Sequence, residues 1–115
     1  MDFDTIGPDA PRYSLVPVLG GPCAIVDPDL APELIKSQWV AVRNRKCFYA
    51  HRVNPKTGKA TKATMHRIVA QARPGQVVHH LNRNSLDNRR SNLQAMSRQA
   101  HRDLHRNEHV LIRYA

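Results

Sequence analysis

The sequence predicts an α+β fold: a small N-terminal antiparallel sheet with short helices, followed by a strand–loop–strand–helix unit. Three observations carry that prediction. Short β-branched and aromatic runs alternate apolar with polar residues between Gly- and Pro-bearing turns, as half-buried strands do. A polar loop, Asn82–Asn92, separates two apolar segments in the last third of the chain. Four histidines flank that loop at metal-site spacing: the adjacent pair His79-His80, then His101 and His105.

Residues 1–13 read as an irregular lead-in, marked by Gly7-Pro8 and Pro11. Ser14–Leu19 and Cys23–Val26 read as two short strands joined by a turn at Gly20-Gly21. Asp27-Pro28 marks a helix start, with Asp27 as N-cap and proline at the first helical position. That helix carries Leu30, Leu34 and Ile35 inward and ends near Ser37. Trp39–Val42 and Cys47–Val53 pair as a hairpin around Arg43–Lys46, and Pro55-Lys56-Thr57-Gly58 turns the chain into a strand at Lys59–Thr64. Met65–Gln71 reads as a short helix with Ile68 and Val69 on its inner side, ended by Arg73-Pro74-Gly75. Residues 14–75 are thus the sheet-and-helix half.

Residues 76–106 are the second unit: strand Gln76–Leu81, loop Asn82–Asn92, strand Leu93–Met96 and helix Ser97–Arg106, with Ser97 as N-cap. A loop that long is usually functional. In the tail, 107–115, Val110-Leu111-Ile112 reads as a packed strand or as disordered chain.

A chain of 115 residues suggests one domain. At this size burial is adequate but not generous, so a bound metal would add useful stability. Cys23 and Cys47 lack a C-x-x-C pattern and read as two buried thiols in a reducing compartment. No apolar stretch approaches 18 residues, and the acidic start Met1-Asp2-Phe3-Asp4 lacks the features of a secretory signal. Charge is uneven: residues 1–35 hold one base, Arg12, and six acids, while 36–115 hold seventeen bases and three acids. Such an imbalance is the electrostatic footprint of a nucleic-acid binder.

The histidines sharpen the reading. Residues four apart share one helix face, so His101 and His105 reach one point in space. A strand delivering His79 or His80 to that point completes a three-imidazole cage with an open position, as in catalytic zinc sites.

Taken together, Met65-His66-Arg67-Ile68-Val69, Pro74-Gly75, Val77-Val78-His79-His80 and Leu86-Asp87-Asn88-Arg89-Arg90-Ser91-Asn92-Leu93 resemble an HNH endonuclease of the small kind found in phages and mobile introns. The likeness extends upstream through Val26-Asp27, Trp39 and Tyr49-Ala50, and covers roughly residues 14–106. It implies that the second unit is a ββα-metal (His-Me finger) fold. It also implies a metal-dependent DNA endonuclease, homing-type in kind, working in the cytoplasm of a bacterium or phage-infected host cell. By the resemblance, His80 matches the general base and Asn92 the asparagine that pins the loop and orients that base. His101 matches the last motif residue, a metal ligand, and His79 the ligand before the base, which is usually Asp in the phage branch. This departure makes the site similar to colicin-type nucleases, in which a His-His pair and a His-x-x-x-His helix supply three ligands and a base; His105 fits the third ligand.

The chemistry of those roles follows from the side chains. Phosphodiester hydrolysis needs a nucleophile, relief of phosphoryl charge, and help for the leaving 3′ oxygen; one divalent ion serves the last two. An imidazole largely neutral at pH 7 accepts a proton from water. A metal-bound nitrogen cannot also take that proton, so His79 and His80 must divide the tasks. Imidazoles without a carboxylate favour zinc, with nickel, manganese or magnesium as alternatives. Arg67, Arg83, Arg89, Arg90, Arg98 and Arg102 are the candidate DNA contacts, because Arg suits bidentate phosphate binding. The expected partner is double-stranded DNA, met by a monomer or homodimer. His66 is expected to pack near its helix, His51 and His109 to lie at the surface, and Asp87 and Asn88 to hold the loop through local backbone bonds. Trp39, Phe48 and Tyr49 are expected in the core. The competing function is a non-catalytic DNA-binding module that keeps its metal for folding alone.

Overall fold

A computed structural model describes residues 12–104 and residue 106. Most of the lead-in, the tail, His105 and His109 therefore lie outside the described residues. Three antiparallel sheets are arranged along the chain: β1 (Ser14–Val16) with β2 (Ala24–Val26), then β3 (Trp39–Asn44), β4 (Cys47–Val53) and β5 (Ala60–Thr64) in that order, then β6 (Gln76–His80) with β7 (Leu93–Ser97). Helix α1 (Ala31–Leu34) precedes β3, and α2 (Met65–Ala70) joins β5 to β6. A third helix, α3, occupies residues 98–104 after β7. The molecule is a small α+β protein, with no helix among the described residues long and apolar enough to cross a membrane.

The first strand is shorter than its apolar run. Pro17 has no N–H for the ladder, so pairing stops at Val16. The chain then moves to the edge of the second sheet, where Leu19 N donates to Trp39 O (2.9 Å) and accepts at its own oxygen from Ala41 N (2.8 Å). A side chain at Gly21 would meet the Cβ of Ala41 at 3.0 Å, a tight contact that favours glycine at this approach.

Helix α1 is also shorter than expected, a single turn. A helix begun at Pro28 would need a bond from the N–H of residue 32 to the carbonyl of residue 28, and residue 32 is a proline. Asp27 does not cap it; its Oδ2 accepts instead from Arg90 N at 2.9 Å. Of the three residues expected inward, Leu34 is buried and Leu30 packs partly against the core, but Ile35 is 57% exposed. In α2 the inward pair is Met65 and Val69, four apart on one face, while Ile68 is exposed.

The core lies among β1, β2, α1, the inner faces of β3 and β4, and the start of α2: Val16, Val26, Leu34, Trp39, Ala50 and Met65 are buried there. The Trp39 indole donates to Leu34 O at 2.8 Å, so the buried N–H is satisfied. Strand alternation turns Ala50 to this core and Tyr49 to the opposite face. The expectation that Phe48 and Tyr49 join Trp39 in the core is thus corrected: Phe48 is exposed and Tyr49 lines the cleft described below. Both thiols are free, but Cys23 is exposed rather than buried.

Residue Leu86 brings the long loop into this core, and the backbone locks it there. Ile25 N donates to Leu86 O (2.8 Å) and Asn88 N to Ile25 O (2.7 Å), so β2 holds loop residues 86–88 like a third strand. The hydroxyl of Ser85 donates to Phe48 O, tying the same loop to β4. These contacts decide where the end of β6 sits.

Candidate active site

Strand β6 ends in Val77-Val78-His79-His80, paired residue for residue with β7 from Gln76↔Ser97 to His80↔Leu93. Both histidines are 7% exposed. Successive strand residues point to opposite sides, and the two rings have different company. His79 lies against His101 of α3, ring centroids 5.6 Å apart and steeply inclined at 62°. His80 lies against His66 of α2 (5.4 Å) and Tyr49 of β4 (6.2 Å), which themselves stand 5.0 Å apart. Both histidines nevertheless line one cleft of about 290 Å³, shared with Cys47, Tyr49, Arg83 and His101.

The His80 ring is fixed by a hydrogen bond: Nε2 donates to Asn88 Oδ1 at 2.9 Å. Asn88 is fully buried, and its Nδ2 has no partner among the described residues. Burial depresses the pKa of His80, with the Asn88 bond and the Asp87 charge opposing. His66 is pushed down to about 3 by burial, then by the nearby His80, Arg67 and His51. Both rings are therefore neutral at pH 7. His51 donates through Nδ1 to Thr61 O (2.7 Å) and, with His66, lines an adjoining cavity of about 350 Å³ rather than lying at the open surface.

The His66 shift has a thermodynamic consequence. Between pH 6.5 and about 3 the unfolded chain binds a proton at this ring that the folded chain refuses. Stability must then rise with pH across that window and fall on acidification, by up to about 1.4 kcal/mol per pH unit for one proton. Titration followed by histidine NMR should find a ring still neutral near pH 5. A His66 that titrates near pH 6.5 contradicts the packing described.

Loop 81–92 closes on itself through Asn92, which is buried. Its backbone oxygen accepts from Leu81 N (2.8 Å), its Oδ1 from Asn82 N (2.9 Å), and its Nδ2 donates to Asp87 O (2.8 Å). Asn92 thus clamps both ends of the loop beside His80, while the direct bond to the ring comes from Asn88. Asp87, 1% exposed, accepts from Arg89 Nε (2.9 Å), Arg89 Nη2 (2.6 Å) and Asn82 Nδ2 (2.7 Å). The Arg89 bonds, with help from Asn82, hold its carboxyl below the ordinary range although burial opposes them. At the helix, Ser97 Oγ accepts from Ala100 N (3.1 Å), an N-cap that aims α3 at β6.

The structure therefore brings His79, His80 and His101 to one cleft; His105 lies outside the described residues. Among the described residues, no three metal-ligating groups converge. The arginines divide. Arg67 donates to Gln76 O (2.6 Å) and Arg73 O (3.0 Å), Arg89 pairs with Asp87, and Arg90 pairs with Asp29 (2.5 Å) and reaches Asp27 (3.8 Å). Those three guanidiniums brace the fold. Arg83 lines the cleft, and Arg98 and Arg102 are exposed on α3. Missed by the sequence reading were Asn88 and the Tyr49–His66 wall. For Tyr49 the signal existed, since it alternates with core-facing Ala50; for Asn88 nothing in the local sequence names its partner.

Residues 64–103 match the model of the HNH endonuclease family, from the end of β5 into α3. Over this segment the chain is similar to HNH endonucleases. The segment contains His66, Arg67, His79, His80, Asn88, Asn92 and His101, whereas Tyr49 and His51 come from strand β4 outside it. That similarity suggests a nuclease-type function for this part of the chain. No curated protein and no solved structure matches the chain.

Proposed function

We propose that this protein is a metal-dependent DNA endonuclease in which His80 is the general base. The observation that carries the reading is the environment of His80: a buried, neutral imidazole pinned through one nitrogen, beside a second imidazole pair in the same cleft. With Nε2–H engaged by Asn88, Nδ1 keeps its lone pair and can take a proton from attacking water. Asn88 and the loop clamp of Asn92 fix the ring before substrate arrives, which lowers the cost of orienting it. Tyr49 and His66 wall the same ring off from bulk water.

The donor set suits a divalent ion. With nitrogen–zinc bonds of about 2.0–2.1 Å, two imidazoles on one tetrahedral ion have centroids roughly 5 Å apart, close to the 5.6 Å between His79 and His101. His79, His101 and, four residues on in sequence, His105 are the proposed ligands, with zinc favoured over nickel, manganese or magnesium. When bound, the ion supplies charge neutralisation at the phosphate and the leaving 3′ oxygen. Arg83, Arg98 and Arg102 are the arginines retained for phosphate contact, on double-stranded DNA, by a monomer or homodimer.

A supercoiled-plasmid assay tests this. Nicked or linear product should form with zinc, nickel, manganese or magnesium and vanish in EDTA. Cleavage that ignores EDTA, or that no ion supports, overturns the proposal. The His79→Ala and His101→Ala variants should each lose zinc affinity by at least the roughly 10–100-fold that follows loss of outer-shell partners. Calorimetric titration showing unchanged affinity would remove that residue from the ligand set.

A further inference from the structure

The β3–β4 hairpin turn concentrates three bases, Arg43, Arg45 and Lys46, in four consecutive residues, all exposed. The turn is held in shape: Arg45 sits at φ +60, and Arg43 Nε donates to its carbonyl at 3.1 Å. Unlike Arg89 and Arg90, none of the three has a carboxylate within ion-pair range among the described residues. Arg45 and Lys46 line a groove of about 670 Å³ together with Tyr49 and His101. Those last two residues also line the cleft of His79, His80 and Arg83. The groove at the basic turn thus adjoins the cleft of the candidate chemistry as one trough, with Tyr49 and His101 lining both.

A groove lined by Arg45 and Lys46, which have no carboxylate in ion-pair range among the described residues, beside the cleft of the candidate chemistry fits a polyanion. We propose that the β3–β4 turn is a nucleic-acid clamp, in which Arg43, Arg45 and Lys46 grip backbone phosphates flanking the bond presented to His80. The clamp rests on the nuclease reading for its register along the strand, but its binding does not require cleavage. It lies outside residues 64–103. The three bases account for phosphate neutralisation that Arg67, Arg89 and Arg90 cannot provide while bracing the fold.

Fluorescence anisotropy of a labelled duplex of about 20 base pairs, in EDTA and over a salt series, tests the clamp separately from catalysis. Each phosphate contact contributes about 0.9 to the slope of log K against log salt. The triple variant Arg43→Gln/Arg45→Gln/Lys46→Gln should therefore lose up to about 2.7 from that slope and bind at least tenfold more weakly at ~0.1 M salt. Lys46→Gln alone, which removes no intramolecular bond, should lose about 0.9. The control Lys56→Gln/Lys59→Gln/Lys62→Gln removes equal charge from residues lining neither cavity, and should lose less than one contact's worth. A hairpin variant with wild-type slope, or a control that falls as far, overturns the clamp. Wild-type protein that binds the duplex but never cleaves plasmid would sink the nuclease proposal while leaving the slopes to decide the clamp.

Discussion

Replacing His80 with alanine should lower plasmid cleavage by about 100-fold or more while duplex affinity and zinc content stay at wild-type levels. The expectation follows from where the ring sits. It is not one of the proposed ligands, its neighbours Tyr49 and His66 are neutral, and its Nε2 is taken by Asn88. Removing it deletes a proton acceptor without deleting a charge or a metal donor. It also leaves Asn88 Oδ1 buried without a donor, a cost of about 1–3 kcal/mol. His80→Gln, which can still donate to Asn88, separates the two effects. Both variants should be equally inactive, and the glutamine variant should melt closer to wild type. Cleavage by either variant at the wild-type rate would exclude the base role. A binding module stabilised by metal would then be the better account, since such a module needs no proton acceptor.

Asp87→Ala should produce the largest loss of stability of any single change in the loop, about 3 kcal/mol. Breaking a buried ion pair from one side costs about 3–5 kcal/mol because the remaining charge loses its partner. Arg89 keeps 29% of its side chain exposed, which tempers the figure. Four N–H donors converge on this carboxylate, from the Asn82 side chain and from the Arg89 side chain and backbone, and the same residue's backbone receives Asn92. Its loss should loosen the loop, free Asn88, and reduce cleavage together with stability. The pH dependence has a definite sign. The folded pKa is below the ordinary carboxylate value, so the stabilisation is complete above about pH 4 and is lost as pH falls through the folded pKa. Urea unfolding should therefore show wild type and Asp87→Asn far apart at pH 7 and converging towards pH 3. His66 destabilises both proteins alike over that range, so the difference isolates Asp87. A gap independent of pH would mean that the carboxylate charge is not what holds the loop.

The acidic N-terminal third gains a structural use from this arrangement. Asp27 and Asp29 meet Arg90 across more than sixty residues of sequence, so part of the charge asymmetry is an internal cross-link. This is why a basic second half does not translate directly into a list of DNA-binding arginines. Arg67, Arg89 and Arg90 are engaged inside the fold, whereas the bases in a hairpin read only as a turn remain exposed.

Where strands and turns depend on neighbours in sequence, the chain was legible. Period-two alternation located β3 and β4, an apolar β-branched run located β6, the Ser97 cap located the start of α3, and the His79-His80, Asn92 and His101 spacing marked the segment that matches the HNH family. The errors were local as well: prolines 17 and 32 withhold donors that the extended strand and helix would have needed. Partners distant in sequence were decided only by tertiary structure. That Asn88 rather than Asn92 bonds the His80 ring accompanies the grip of β2 and β4 on loop 85–88, while the Tyr49–His66 wall and the internal bonds of Arg67, Arg89 and Arg90 arise from other contacts between distant segments. Periodicity encodes which face a residue takes; it carries no information about what that face will meet, because the meeting is set by burial and hydrogen bonding summed over the whole chain.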